Sequence, residues 1–177
     1  LTLNESGEYK FGDDFKRFET RHETIKVLNP DSTYREQDLA IASSKHGPVI
    51  ANDGKTAYAL KVAGLDNLDH AEIIDQYWDM SYASSFDEFE KALSRLQMPM
   101  FNTVYADQSG TIFYAFNALQ PKRSSGDVAF WAEPVDGADK SLLWKKYRTY
   151  SELPHYANPA SGFIQNSNDP PWTSTFP

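Results

Sequence analysis

Asn166 and Asn168 stand two residues apart in the stretch NPASGFIQNSNDPPW, residues 158–172. A carboxamide offers two N–H donors and one acceptor and stays neutral at any working pH. Held rigidly before a reaction starts, such an N–H can meet the oxyanion that develops on a carbonyl under attack. The flanks are stiff, because Pro159 lies on one side and Pro170-Pro171 on the other, each fixing φ and restricting the residue before it. A second role fits the same residues: either Asn can hydrogen-bond its own backbone in an Asx-turn. Composition alone favours that turn.

Other chemistries find less support. The histidines are His22, His46, His70 and His155, with no H-E-x-x-H or close H-x-H spacing that would gather a metal. His46-Gly47 reads as a strand bend. There is no G-x-S-x-G elbow, and no phosphate-cradling glycine loop. The adjacent acids Asp13-Asp14 and Asp87-Glu88 read as a solvated loop and a first helical turn. The chain has no cysteine, which excludes disulfides, thiolate metal ligands and a thiol nucleophile while leaving the compartment open.

Length and charge narrow the class. A chain of 177 residues, 40% hydrophobic, can bury a core and reads as one domain or a piece of one. A net charge of -8 without a basic stripe argues against a nucleic-acid partner. No apolar run approaches the ~18 residues of a membrane helix, so no membrane partner is expected. Neither Met nor a signal peptide opens the chain, so it reads as a processed chain or an excised fragment.

Around the Asn pair the sequence predicts a mixed fold. Residues 3–12 suggest a hairpin turning at Asn4 to Gly7. Alternation with β-branched residues predicts a strand over about 20–28, then a turn at 29–32. DLAIASSKHGPVIAND reads as two extended pieces broken at Gly47-Pro48, and the NDG at 52–54 as a turn into TAYALKVAG. Ile73, Ile74, Tyr77 and Trp78 form an apolar helical stripe, predicting a helix over 69–80. Ser85 with Glu88 makes a capping box for a second helix over 85–96, in which Phe86, Phe89, Leu93 and Leu96 keep helical spacing. A hairpin over 102–117 turns at DQSG. The stretch from Gln120 to Lys140 reads as loop, and SLLWKKY as a short helix or turn.

Five segments, in order, resemble the penicillin acylases and acyl-homoserine-lactone acylases, which are N-terminal nucleophile (Ntn) hydrolases. SSKHGPVI is similar to their R-T-x-H-G-P-[VI], and YALKVAGLD to Y-A-L-R-W-x-x-x-D. SSFDEFEKAL is similar to the helix before their hairpin, and NTVYADQSGTIFYAFNALQPKR to N-x-x-Y-A-D-x-x-G-x-I-x-Y with a Pro-Arg turn. NPASGFIQNSNDPPW resembles N-P-x-S-G-[YF]-[IL]-x-N-x-N. Together they cover about residues 15–177. QNSNDPPW looks nearer the lactone and lipopeptide acylases than the penicillin G type.

The resemblance implies an α+β chain, part of an αββα sandwich, supplying strands, two helices and a β-rich lobe. It implies a single incomplete domain over 1–177, an internal part of the acylase β-chain that lacks the N-terminal nucleophile. That residue, a Ser in most members, uses its own α-amine as base; Leu1 cannot serve. The parent would cleave an acyl group from a penicillin, an acyl-homoserine lactone or a lipopeptide, and the fragment alone would be inactive. Asn168 matches the oxyanion-hole carboxamide, with Asn166 holding the loop. Tyr77 and Phe101 match apolar positions of the acyl pocket, although helical spacing also suits Tyr77 to a core. The implied partners are the remaining segments, namely the α-chain and the N-terminal part of the β-chain, together with an acyl-amide substrate. No cofactor is expected; calcium is possible in the parent, with no ligand placed here. The implied location is periplasmic or secreted. The alternative is a non-catalytic binding module derived from such an enzyme. A Gly-Ser-Asn-(Ala or Asn)-Trp junction encoded upstream of Leu1 would separate the two.

Overall fold

The computed structural model describes residues 1–64, 72–98 and 100–175. They fall into two compact units, one of Leu1–Val62 with Arg123–Trp144, the other of Ala63–Lys122 with Lys145–Pro177. Each mixes strands with few helices, so the chain is α+β.

In the first unit, β1 (Tyr9–Phe11) and β2 (Asp14–Lys16) form a small hairpin. The predicted turn at Asn4 to Gly7 exists, with the Asn4 carboxamide accepting from the Ser6 and Glu8 N–H groups. It closes only a bridge from Leu3 to Tyr9, and the strand pairing comes one turn later. A four-stranded antiparallel sheet runs β3 (Glu19–Leu28), β4 (Tyr34–Ser44), β5 (Gly47–Asn52), β6 (Ala57–Ala59). β3 and β4 pair along their full length, from Glu19 with Ser43 to Leu28 with Tyr34. Asp31 sets the turn between them by accepting from the Thr33 N–H and hydroxyl. The break between β4 and β5 falls at Lys45-His46. Gly47-Pro48 instead opens β5, pairing with Ser44 and Ser43. Gly47 needs to be glycine: its φ is +113°, and a Cβ there would lie 2.4 Å from the Leu60 carbonyl oxygen. In the NDG turn, Asp53 accepts from the N–H groups of Lys55 and Thr56. The stretch read as loop contains a short helix, α3 (Val128–Ala132), capped by Asp127 through the Phe130 N–H. SLLWKKY contributes part of a 3₁₀ turn at Lys140–Leu142.

In the second unit, α1 (Ile73–Tyr82) and α2 (Phe86–Leu93) accompany a three-stranded antiparallel sheet in the order β7 (Met100–Ala106), β8 (Ile112–Ala118), β9 (His155–Ala157). The first residues of the predicted 69–80 helix, and His70, lie outside the described residues. Within α1 the packed face is Ile73, Gln76 and Met80. Of the predicted apolar stripe only Ile73 belongs to that face; Ile74, Tyr77 and Trp78 point elsewhere, with Ile74 74% and Trp78 61% exposed. Gln76 is fully buried with both ends of its amide used: its Nε2 donates to the Leu93 carbonyl at 3.3 Å, and its Oε1 accepts from the Gln97 N–H at 2.7 Å. The Leu93 carbonyl, in the last turn of α2, accepts from the Leu96 N–H at 3.2 Å as well.

α2 begins as expected at Ser85, whose hydroxyl accepts from the Glu88 N–H. The reciprocal bond shifts by one residue, because the Glu88 carboxylate accepts from Ser84 rather than Ser85. The helix stops at Leu93, three residues early. Leu96 takes a φ of 55° and stays buried outside the helix. Phe86 and Phe89 pack on Tyr105, and Phe86 also on Phe113, with ring centroids 4.6–5.5 Å apart. These join Leu93, Met98 and Ala115 in the core. The β7–β8 hairpin turns on Asp107, which accepts from the N–H groups of Ser109 and Thr111.

Candidate functional site

The Asn pair sits at the tip of a loop whose base is tied at several points. Asn158 extends the sheet beyond β9: its backbone N–H donates to the Ile112 carbonyl at 2.8 Å, and its Oδ1 accepts from the Ile112 N–H at 2.9 Å. Further on, the Gln165 N–H donates to the Ser174 carbonyl at 2.9 Å. The Gln165 amide donates to the Thr173 carbonyl. Ser174 is fully buried; its hydroxyl accepts from Tyr156 at 2.6 Å and donates to the Pro171 carbonyl. Residues 166–172 are therefore a closed loop anchored to β9.

At the tip the two asparagines take different roles. Asn166 clamps the backbone: Oδ1 accepts from the Asn168 N–H at 2.8 Å, and Nδ2 donates to the Asp169 carbonyl at 3.0 Å. Asn168 adopts φ 65°, a left-handed conformation that Asn tolerates better than most residues. Its side chain is exposed and makes no hydrogen bond to a described residue. The Asx-turn expected of either residue is made by Asn166.

Asn168 borders a cleft of about 1050 Å³. Phe101, 48% exposed, lines it together with Met100, Asn102, Phe116 and Trp172. Asp169 is the one charged side chain among the described lining residues. No cation is there to draw an anionic ligand, and the aromatic walls suit an apolar one. Phe101 and Asn168 thus share a cleft. Tyr77 does not line it: it lies on α1, 42% exposed, with its carbonyl accepting from the Ser81 hydroxyl.

Sequence reasoning passed over Asn102 and its partner Tyr114. The Tyr114 hydroxyl donates to Asn102 Oδ1 at 2.6 Å. The signal was present in NTVYADQSGTIFY, where Asn102 opens a strand otherwise rich in β-branched and aromatic residues. Burial pushes the Tyr114 phenol up from its ordinary pKa, so it remains a donor at neutral pH.

His46 and His155 serve structure. His46 Nε2 lies 2.8 Å from the Gly137 carbonyl, and its ring meets Phe11 edge-on. Burial lowers its pKa, favouring the neutral ring. His155 stacks on Tyr150 at 4.6 Å, with Nδ1 2.8 Å from the Leu153 carbonyl. Among the described residues, no group of three or more His, Asp or Glu is placed to hold a metal ion.

The penicillin amidase family model matches residues 1–177. An acyl-homoserine lactone acylase PvdQ of Pseudomonas savastanoi pv. phaseolicola is 26% identical over 170 residues, 84% of this chain and 21% of that protein. The penicillin G acylase of Escherichia coli is 28% identical over 173 residues, 97% of this chain and 19% of that one. The structure of a thermostable penicillin G acylase from Alcaligenes faecalis matches with a TM-score of 0.80 at 26% identity, covering 96% of this chain and 30% of the other. The chain therefore spans about a fifth of the length of these curated relatives.

Proposed function

The chain belongs to the penicillin amidase family, and from that premise we propose that it is the oxyanion-binding part of an amide hydrolase that removes an acyl group from an amine. The nucleophile and its α-amine base come from polypeptide outside these 177 residues. Attack of the nucleophile's oxygen on the amide carbonyl pushes the carbonyl electron pair onto oxygen, while the nucleophile's proton passes to the α-amine. The Asn168 Nδ2–H donates to the oxyanion. Collapse breaks the C–N bond and returns the proton to the leaving amine, giving an acyl-enzyme that water then hydrolyses.

The observation that carries this reading is the division of labour at the loop tip. Asn166 spends its amide on the backbone, which leaves the Asn168 amide unspent and facing a cleft. The clamp fixes the backbone that carries this donor, which lowers the reorganisation needed when charge appears. Phe101 offers an apolar surface to the acyl group in the same cleft. Tyr77 is a separate proposal for that pocket, its ring being partly open to solvent on α1.

The implied partners are the remaining segments of the enzyme. Ile74, Trp78 and Tyr82 on α1 are large, apolar and exposed, and such surface commonly marks a place that more protein covers. The location proposed, on resemblance alone, is the periplasm or the exterior, which fractionation of the producing cell tests.

The central experiment is Asn168→Ala in the full-length, processed enzyme. Loss of one oxyanion donor costs about 3 kcal/mol of transition-state stabilisation, roughly a hundredfold in kcat. The melting temperature should fall only by the strain of placing Ala at a φ of 65°, about 1 kcal/mol, because the side chain bonds to no described residue. A fall in kcat of less than threefold sinks the assignment.

A further inference from the structure

The apolar wall of the cleft carries one polar side chain whose orientation is fixed from behind. Asn102 lies on β7, on the strand face shared with Met100 and Val104, opposite the face from which Tyr105 packs on α2. On β8 the neighbouring side chain of that face is Tyr114, whose single hydroxyl proton goes to Asn102 Oδ1 at 2.6 Å. Tyr114 is fully buried, with its ring 5.4 Å from Tyr156. A flipped Asn102 amide would forfeit the bond from Tyr114 and leave the Tyr114 proton to find another acceptor. Nδ2 is directed away from Tyr114 and bonds to no described residue. Asn102 is partly buried and lines the cleft.

The partly buried Asn102 N–H₂ group, which lines the cleft with Met100, Phe101 and Phe116, has no acceptor among the described residues, and such a donor favours a ligand that brings one. We propose that Asn102 is a specificity-determining residue whose Nδ2 donates to a neutral oxygen, a hydroxyl or ketone, carried on the acyl group of the substrate, with Tyr114 as its positioning residue. The acceptor is neutral because Asp169 borders the cleft and no Lys or Arg among the described residues lines it. It belongs to the acyl group because Asn102 sits in the apolar wall. This rests on the amide-hydrolase reading above.

The test uses the full-length, processed enzyme and two matched anilides of one acyl chain, one bearing a hydroxyl or ketone where the other has a methylene. The readout is the ratio of their kcat/KM values. Wild type favours the oxygenated substrate, since loss of a satisfied site hydrogen bond costs about tenfold. In Asn102→Leu with Tyr114→Phe, which removes both partners together and avoids stranding either, the ratio falls about tenfold. In Asn102→Asp, which keeps the acceptor for Tyr114 but removes the donor, it falls at least as far. Tyr114→Phe alone lowers it about threefold by freeing the amide to rotate. A purely structural role would depress both substrates alike and leave the ratio unmoved. A ratio within twofold of wild type in both Asn102 variants overturns the proposal. Asn168→Ala run alongside separates the two ideas: if it lowers kcat while the Asn102 ratio stays fixed, only the specificity claim falls. If it leaves kcat intact, the hydrolase reading falls first.

Discussion

Asn166 holds Asn168 without touching its side chain. The Asn166 amide accepts from the Asn168 N–H at 2.8 Å and donates past it to the Asp169 carbonyl at 3.0 Å. One carboxamide thereby sets the backbone that aims another. Asn166→Ala should lower kcat of the full-length enzyme about tenfold, because a small misplacement of a reacting group is costly. It should also cost ~1 kcal/mol or so of stability through the two lost hydrogen bonds. Asn166→Asp keeps the acceptor and loses the donor, so its kcat should lie between wild type and Asn166→Ala. Steady-state kinetics on the three proteins check that order, and an Asp variant worse than Ala would contradict the clamp.

Backbone geometry gives a second prediction. Gly47→Ala places a methyl 2.4 Å from the Leu60 carbonyl oxygen at a φ of +113°. Neither the contact nor the dihedral can relax without moving β5. The expected loss is roughly 2 kcal/mol or more, read as a lowered unfolding midpoint in denaturant. Gly54→Ala, at φ +87° with open space around its Cβ, should cost less, since only the backbone strain remains.

Acid should expose a third relationship. Glu152 accepts from Lys122 Nζ at 2.7 Å and from the Thr149 N–H and hydroxyl. The Lys122 side chain, then the Thr149 bonds, hold its carboxyl down at about 2. Because the folded pKa lies below the unfolded one, this stabilisation is present above the ordinary carboxylate range. It is lost as pH falls from about 4.5 towards 2. Glu152→Gln should lower the melting temperature at pH 7 and converge with wild type near pH 2. Parallel melting curves across that window would refute it. The group is solvent-exposed, so salt should shrink the difference.

The elements that sequence made legible are those with redundant local signals. The β7–β8 hairpin combined period-two alternation with the Asp107 turn, and its ends fall within two residues of expectation. α2 announced its start through Ser85. What failed was orientation and shortness. Periodicity located an apolar stripe on α1 but could not say that Ile73, Gln76 and Met80 would be the packed side. β9 has three residues after a proline, and α3 has five between Gly126 and Pro134, too few for a period to register. At the site, composition treats Asn166 and Asn168 alike. Their difference depends on which amide the backbone turns inward, which is set by the φ of 65° at Asn168 and by Ser174 far along the loop. Asn102 was invisible for a related reason: its partner Tyr114 is twelve residues away across the hairpin.

That buried face of α1 supplies the last prediction. Gln76 is fully enclosed and serves two backbone groups, the Leu93 carbonyl and the Gln97 N–H. Gln76→Leu keeps most of the volume but strands the Gln97 N–H and removes one bond to the Leu93 carbonyl, which still accepts from the Leu96 N–H at 3.2 Å. One unsatisfied buried group costs ~1–3 kcal/mol, and the variant should lose stability in that range, although Leu is the more hydrophobic residue. Hydrogen exchange should locate the damage: the Gln97 amide loses protection well before the β7–β8 ladder does. If Gln76→Leu proved neutral or stabilising, the apolar stripe of Ile74, Tyr77 and Trp78 would have to be the packed side of α1 after all. The unfolding free energy in denaturant decides between the two faces, because they predict opposite signs.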